Sequence, residues 1–325
     1  MKCIYCDFYS ITEREHQRDH FTKMLCREIE LYSKSNDFNY KIDTIFIGGG
    51  TPSLLTPYQL QSILDTLNNC YNLEKVCEIT MEANPGEAPI EKLKEFKASG
   101  INRLSMGFQS LQPELLKFLT RIHTKEQAID TFHNARLAGF ENINIDMIFS
   151  IPNQSLEMLE DDLNTVINLN PNHISAYSLT VESGTELNRM VKKNTVIMPK
   201  EDSDLEMLIF VRNYLSKNNY NPYEISNFAI NGYECKHNVH YWNTDPYLAF
   251  GPSAHGFDGE KRWWNIRSLD EYLKRLEDYK SPINQEEETS NSMRFNELLL
   301  NGLRLRDGID IEKLKFINPN YKSDL

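Results

Sequence analysis

Along the first 180 residues, one pattern recurs five times: a short apolar run ends in polar or turn residues, and a helical period follows. IDTIFIGGGTPS is the first instance. Ile42, Ile45, Phe46 and Ile47 form a nearly continuous apolar run, as a strand buried on both faces requires. Three glycines close it, and Thr56-Pro57 supplies an N-cap and first-turn pair for a helix that buries Leu60, Ile63, Leu64 and Leu67. EITMEANP, INRLSMGFQS, NIDMIFSIP (within NINIDMIFSIP) and HISAYSLTVE are the later strands. Helices are expected around 89–99, from about Pro113, over 125–138 and from about Leu156 to Leu169. Strands alternating with helices predict a parallel sheet with right-handed crossovers, hence an α/β fold. A further helix is expected ahead of the first strand, from residue 13 to about 34, where Phe21, Met24, Leu25, Ile29 and Tyr32 keep helical spacing.

Polar residues gather at the C-terminal ends of these strands: Gly48 to Thr51, Glu82, Asn84, Gln109, Asp146, and Ser178 with Glu182. In parallel sheets and barrels that edge carries the site, although any single strand end also carries ordinary turn residues. From residue 200 the texture changes. A helix near 203–217 leads into YEISNFA and a loop-rich, aromatic stretch, HNVHYWNTDPYLAFGPSAHGF; helical pattern returns from about 288. The expected division is therefore 1–200, a partial barrel; 201–287, an aromatic, loop-rich lobe; and 288–325, the start of a helical domain.

The chemistry begins at the second residue. Cys3 and Cys6 form a Cys-x-x-Cys pair in MKCIYCDFYS. Structural zinc would need two more suitably spaced ligands, a thioredoxin-like pair would need a preceding strand, and an iron–sulfur cluster would need at least one further cysteine. GGGTPS lets backbone approach a ligand closely and presents N–H groups suited to a carboxylate or phosphate; a tight strand–helix turn has the same composition. It is neither a P-loop nor a GxGxxG fingerprint. The net charge of −12, with no basic patch, argues against a nucleic-acid binder. No apolar run approaches the ~20 residues of a membrane span, leaving only peripheral membrane contact open. Six scattered cysteines in a large chain fit reduced thiols and a cytoplasmic protein.

Lys2 to Phe8, IFIGGGTPS, MEANP, INRLSMGFQS, NIDMIFSIPNQ, HISAYSLTVESGT, YEISNFA and HNVHYW, in this order, resemble the radical S-adenosylmethionine (SAM) superfamily, and within it the oxygen-independent coproporphyrinogen III oxidase-like family. The resemblance runs from residue 2 to about residue 310. It implies a (β/α)6 barrel, here partial and lacking its first strand, with a C-terminal, mostly helical extension. It also implies a [4Fe–4S] cluster that binds S-adenosylmethionine through an open iron. Cys3 and Cys6 would be cluster ligands, and Gly49, Gly50 and Thr51 would meet the methionyl end. Glu82 would accept from its ammonium, while Gln109, Arg121 and Asp146 would line the carboxylate and ribose side.

Where the oxidase carries a further cysteine two residues after the third cluster cysteine, this chain has Phe8. That position, with the His-Asn-x-x-Tyr-Trp of HNVHYW, resembles the heme-chaperone branch instead. The resemblance then implies heme as a third ligand, with His237 and His255 as candidate axial ligands, Tyr241 and Trp242 as aromatic surface, and a heme-accepting protein and an electron donor as partners. The alternatives are the oxidase itself, decarboxylating coproporphyrinogen III, or a chain inactive for want of a cluster ligand. No catalytic residue is assigned. In the family motif the first cluster cysteine lies four positions before Cys3, so truncation is expected at the N-terminus and, within the helical appendage, at the C-terminus. Five barrel strands of six are expected, with an exposed edge beside residues 42–47.

Overall fold

The computed structural model describes residues 2–35 and 41–319. After α1 (Arg18–Ser35) the chain alternates strand and helix: β1 (Thr44–Ile47), α2 (Pro57–Cys70), β2 (Glu78–Ala83), α3 (Ile90–Ala98), β3 (Arg103–Gln109), α4 (Pro113–Phe118), α5 (Lys125–Leu137), β4 (Asn142–Phe149), α6 (Leu156–Leu169) and β5 (His173–Ser178). The next elements are α7 (Glu186–Lys192), α8 (Glu201–Lys217), β6 (Asn221–Pro222), β7 (Asn227–Ala229) and α9 (Lys236–Trp242). β8 (His255–Phe257), β9 (Lys261–Asn265), α10 (Leu269–Glu277), β10 (Ile283–Glu288), α11 (Asn291–Gly302) and α12 (Ile311–Ile317) complete the described chain.

β1 to β5 are parallel, in sequence order, and β7 and β6 extend the sheet antiparallel from β5. This is the expected α/β class with five parallel strands, as an open rather than a closed barrel. β1 is the terminal strand, and α9 packs against it.

Strand alternation separates two environments. One set of side chains, including Met81, Leu104, Met106, Phe108, Ile143, Ile145 and Ile174, meets Leu60, Leu93, Phe96, Phe132, Leu159 and Leu163 of the helices in one continuous core. Each large side chain so buried contributes about 2 kcal/mol. The alternate set is polar: Glu78, Thr80, Glu82, Arg103, Ser105, Asn144, Asp146, His173 and Ser175. The helix starts follow local chemistry: Thr56 with Gln59, and Thr124 with Gln127, form capping boxes ahead of α2 and α5.

Three expectations need correction. The first helix starts at Arg18, after a short 3-10 turn over Glu15–Gln17, because Glu13 has φ +65 and cannot continue a helix backwards. HNVHYW, read as loop, lies in α9. The stretch read as loop-rich also contains β6, β7 and an antiparallel sheet in the order β10-β9-β8. β10 is Gln-Glu-rich and exposed on nearly every residue, so no apolar alternation announces it. The C-terminal pair α11 and α12 closes on Phe295, Leu298 and Leu314.

Candidate functional site

The turn after β1 carries the first candidate group. Gly49 has φ +113, a region that favours glycine, and its N–H donates to Glu82 Oε2 at 2.9 Å. Glu82 stands at the end of β2. Burial, reinforced by the Asp146 charge, pushes its carboxyl up to about 7, and the Gly49 N–H pulls the other way. A carboxyl held this way gains from a cation brought against it.

Arg121 ties the next two strands to the cysteines. Its Nη2 donates to Gly107 O and to Asn84 Oδ1, both at 2.8 Å, and its Nη1 reaches Cys3 Sγ at 3.6 Å. Asn84 Nδ2 in turn donates to Thr51 Oγ1 at 3.4 Å and Glu87 Oε2 at 3.0 Å. Gly107 permits the crowding: a Cβ there would lie 2.8 Å from Gln109 Nε2 and 3.2 Å from Arg121 Nη2. Gln109 itself has φ +67, where the register of β3 on β4 shifts. Thus Thr51, Gln109 and Arg121 share one polar cluster, with Asn84 at its centre. Sequence reasoning singled out Asn84 as a strand-end residue without giving it a role.

The N-terminal loop docks on this edge. Ile4 N–H donates to Thr120 Oγ1 at 3.2 Å, Ile4 O accepts from Leu187 N–H at 2.9 Å, and Ile4 and Tyr5 pack against Leu115, Leu119, Ile148 and Leu187. Cys6 N–H closes a turn on Cys3 O at 3.3 Å. Burial pushes the Cys6 thiol up, and burial with the neighbouring Cys3 pushes the Tyr5 hydroxyl up. Two soft sulfur donors on one turn, one of them against a guanidinium, have the donor chemistry that an iron–sulfur cluster takes. Among the described residues no group of three or more His, Cys, Asp or Glu is arranged to hold a metal ion. Phe8 is 65% exposed and takes no part in a core.

Asp146 lies deeper. It accepts from Ser105 Oγ at 3.0 Å and Asn144 Nδ2 at 2.7 Å, and burial pushes its carboxyl up against those hydrogen bonds. From Asn144 a buried chain continues: Asn144 Oδ1 to His173 Nδ1 at 2.6 Å, His173 Nε2 to Tyr223 OH at 2.8 Å, and Cys235 N–H to Tyr223 OH at 3.3 Å. Glu78 accepts from the N–H groups of Lys236 and His237, each at 3.1 Å, anchoring the start of α9. Glu78, His173 and Tyr223 escaped the sequence reading. The one signal of Glu78 and His173 was a polar residue on alternate strand positions; Tyr223, between β6 and β7, gave none. Ser178, with Ser150, donates to Asp204 Oδ1 at 2.5 Å, fastening α8 to the ends of β4 and β5.

α9 presents its signature against β1. The His237 ring stacks on Phe46, centroids 5.2 Å apart, with Nδ1 2.9 Å from Thr44 Oγ1 and Nε2 3.1 Å from Tyr241 OH. Burial pushes the imidazole down to about 4, so it is neutral at neutral pH. His240 bridges Asp43 Oδ2 at 3.1 Å and Asp245 Oδ2 at 2.9 Å. Trp242 carries the Arg304 guanidinium over its ring at 4.5 Å, and its buried Nε1 has no hydrogen-bond partner among the described residues. His255 is exposed on β8 and stacks on Trp264, centroids 5.9 Å apart. No contact joins it to His237 among the described residues. Tyr241, Tyr247 and Phe257 lie between the two elements as successive ring contacts.

Residues 1–166 match the Radical SAM superfamily. The chain is 36% identical over 313 residues to the heme chaperone HemW of Lactococcus lactis, covering 96% of this chain and 81% of that one. It is 35% identical over 309 residues to the heme chaperone HemW of Bacillus subtilis, covering 94% and 81%. Among solved structures, coproporphyrinogen III oxidase (HemN) from Escherichia coli superposes with a TM-score of 0.82 at 21% identity, over all of this chain and 76% of that one. That likeness is one of fold.

Proposed function

We propose, from the premise that this chain belongs to the radical SAM superfamily and to its HemW heme-chaperone family, that it binds heme and passes it to acceptor proteins. Membership implies a [4Fe–4S] cluster and S-adenosylmethionine as well. The single observation that carries the heme reading is α9. It holds a neutral imidazole, His237, beside a Tyr and a Trp, on an element fastened to the barrel by Glu78. The unprotonated nitrogen of a neutral imidazole can serve as an axial ligand for heme iron, and aromatic rings suit a flat macrocycle. His255, exposed on its own strand, is the second candidate. The oxidase reading is weaker: its representative resembles this chain in fold at 21% identity, and Phe8 stands where that branch carries a further cysteine.

Cys3 and Cys6 would contribute two cluster ligands, with Arg121 compensating thiolate charge at Cys3. When bound, the cluster and S-adenosylmethionine supply one-electron chemistry. Glu82 would accept from the methionyl ammonium, oriented by the Gly49 N–H. Gly50 and Thr51 would offer backbone beside it. Gln109 would reach the carboxylate side across Gly107, and Asp146 would accept from the ribose. Cytoplasmic residence, a heme-accepting protein and an electron donor belong to the same proposal. No helix among the described residues is long and apolar enough to cross a membrane.

The test is hemin titration of the full chain, followed at the Soret band, for wild type and His237→Ala. A saturable band that weakens at least tenfold in the variant is expected. No band in wild type, or turnover of coproporphyrinogen III with S-adenosylmethionine under anaerobic reduction, would overturn the chaperone reading.

A further inference from the structure

His237 has both ring nitrogens engaged, and the two partners differ in chemistry. Nδ1 faces Thr44 Oγ1, an aliphatic hydroxyl on β1, at 2.9 Å; Nε2 faces the phenol of Tyr241, one helical turn on, at 3.1 Å. A phenol is more acidic than an aliphatic hydroxyl, even with burial pushing Tyr241 up to about 12, and so is the stronger donor and the poorer acceptor of the two. The favoured arrangement has Nδ1–H donating to Thr44 and Tyr241 O–H donating to Nε2. Phe46 stacks on one face of the imidazole and Tyr241 meets it edge-on, at 5.1 Å and 85°. The two partners also differ in setting. Thr44 sits in a strand paired to β2. Tyr241 is near the end of a seven-residue helix and is 38% exposed, its ring edge-on to Tyr247 at 4.6 Å.

We infer that Thr44 and Tyr241 are positioning residues for His237: Thr44 fixes the tautomer that leaves the Nε2 lone pair available, and Tyr241 is a displaceable cap on it. The inference rests on the heme reading of His237 and adds how the ligand is prepared and guarded. Histidines that bind metals characteristically donate their other ring N–H to an acceptor behind them, which fixes ring orientation and raises basicity. Here the acceptor comes from the barrel edge and the cap from the helix. On binding, the Tyr241 O–H···Nε2 hydrogen bond breaks and the Nε2 lone pair forms a dative bond to heme iron. The imidazole keeps its Nδ1 proton, and Tyr241 rehydrates. No electron is transferred. Capped, His237 offers no open nitrogen to other metal ions. The cap thus lowers affinity and favours release to an acceptor.

Two measurements test this. Hemin titration of Tyr241→Phe should give about fivefold tighter binding than wild type, since one net hydrogen bond no longer competes. Thr44→Val should bind several-fold more weakly, and Thr44→Ser should recover the wild-type value. Separately, 15N spectra of the histidine-labelled, hemin-free protein should show His237 protonated at Nδ1 in wild type and in Thr44→Ser, with the Nε2–H form growing in Thr44→Val. Hemin affinity unchanged or weakened in Tyr241→Phe overturns the cap. An Nε2–H wild-type ring overturns the Thr44 assignment. If wild type takes up no hemin, the heme reading itself fails and the cap with it. If it binds hemin without regard to either substitution, only this inference fails.

Discussion

Glu28 gives the sharpest stability prediction. It lies on α1, buried, and accepts from Gly251 N–H at 2.8 Å, Asn265 Nδ2 at 2.5 Å and Tyr272 OH at 2.5 Å. It thereby stitches α1 to β9, α10 and the loop between α9 and β8. Three donors favour the ionised carboxylate, but burial outweighs them and pushes the carboxyl from 4.5 up to about 7. At roughly 1.4 kcal/mol per unit, that displacement amounts to about 3 kcal/mol. The folded value lies above the unfolded one. The stabilising contribution is therefore full below about pH 4.5 and lost as pH rises through about 7. Glu28→Gln cannot ionise. It sets an amide donor against one of the existing donors, so at pH 5 the variant should be less stable by about 1–3 kcal/mol. Between pH 5 and pH 8 the difference should move by about 2.5 kcal/mol in the variant's favour. Urea unfolding can be followed by fluorescence of Trp242, Trp263 and Trp264, all in the C-terminal part of the chain. Glu82 and Asp146, also displaced upward, are common to both proteins and cancel in the difference. An identical difference at the two pH values would refute the reasoning, for it would mean the three donors compensate burial in full.

Two further outcomes can be checked together. Gly107→Ala puts a methyl group 2.8 Å from Gln109 Nε2 and 3.2 Å from Arg121 Nη2. It should cost about 1–3 kcal/mol in thermal unfolding, and iron retained per chain after cluster reconstitution should fall as Arg121 leaves Cys3. Asp162, buried on α6, accepts from Ser110 Oγ at 2.6 Å and Gln112 Nε2 at 2.9 Å. Asp162→Ala leaves the buried Ser110 hydroxyl without its acceptor, while Gln112 Nε2 keeps Asp161 Oδ2 at 3.0 Å, and should lose about 1–3 kcal/mol in denaturant unfolding, with Asp162→Asn losing less.

Much of the polar strand-end edge was legible because its signals are local. A buried strand writes a continuous apolar run, a parallel strand ends in polar residues, and a helix start writes its cap. Gly49, Glu82 and Asp146 could therefore be found along with the strands that end there. The Arg121–Asn84–Thr51 cluster was legible only as separate residues, since its partners are 37 and 33 positions apart and meet through sheet pairing. HNVHYW was misread as loop for the same reason. α9 is short and lacks a side-chain cap of its own; its first N–H groups are satisfied by Glu78, 158 positions away.

Residue order and type thus determined the α/β alternation and its polar strand ends, because each is encoded within one turn or one strand, and the order of the motifs determined the family. Tertiary structure alone decided what α9 meets. Closure of the sheet edge brings Thr44 and Tyr241 to opposite nitrogens of His237. Which nitrogen of an imidazole remains available is fixed by the neighbours it meets through space, and no spacing along the chain specifies them.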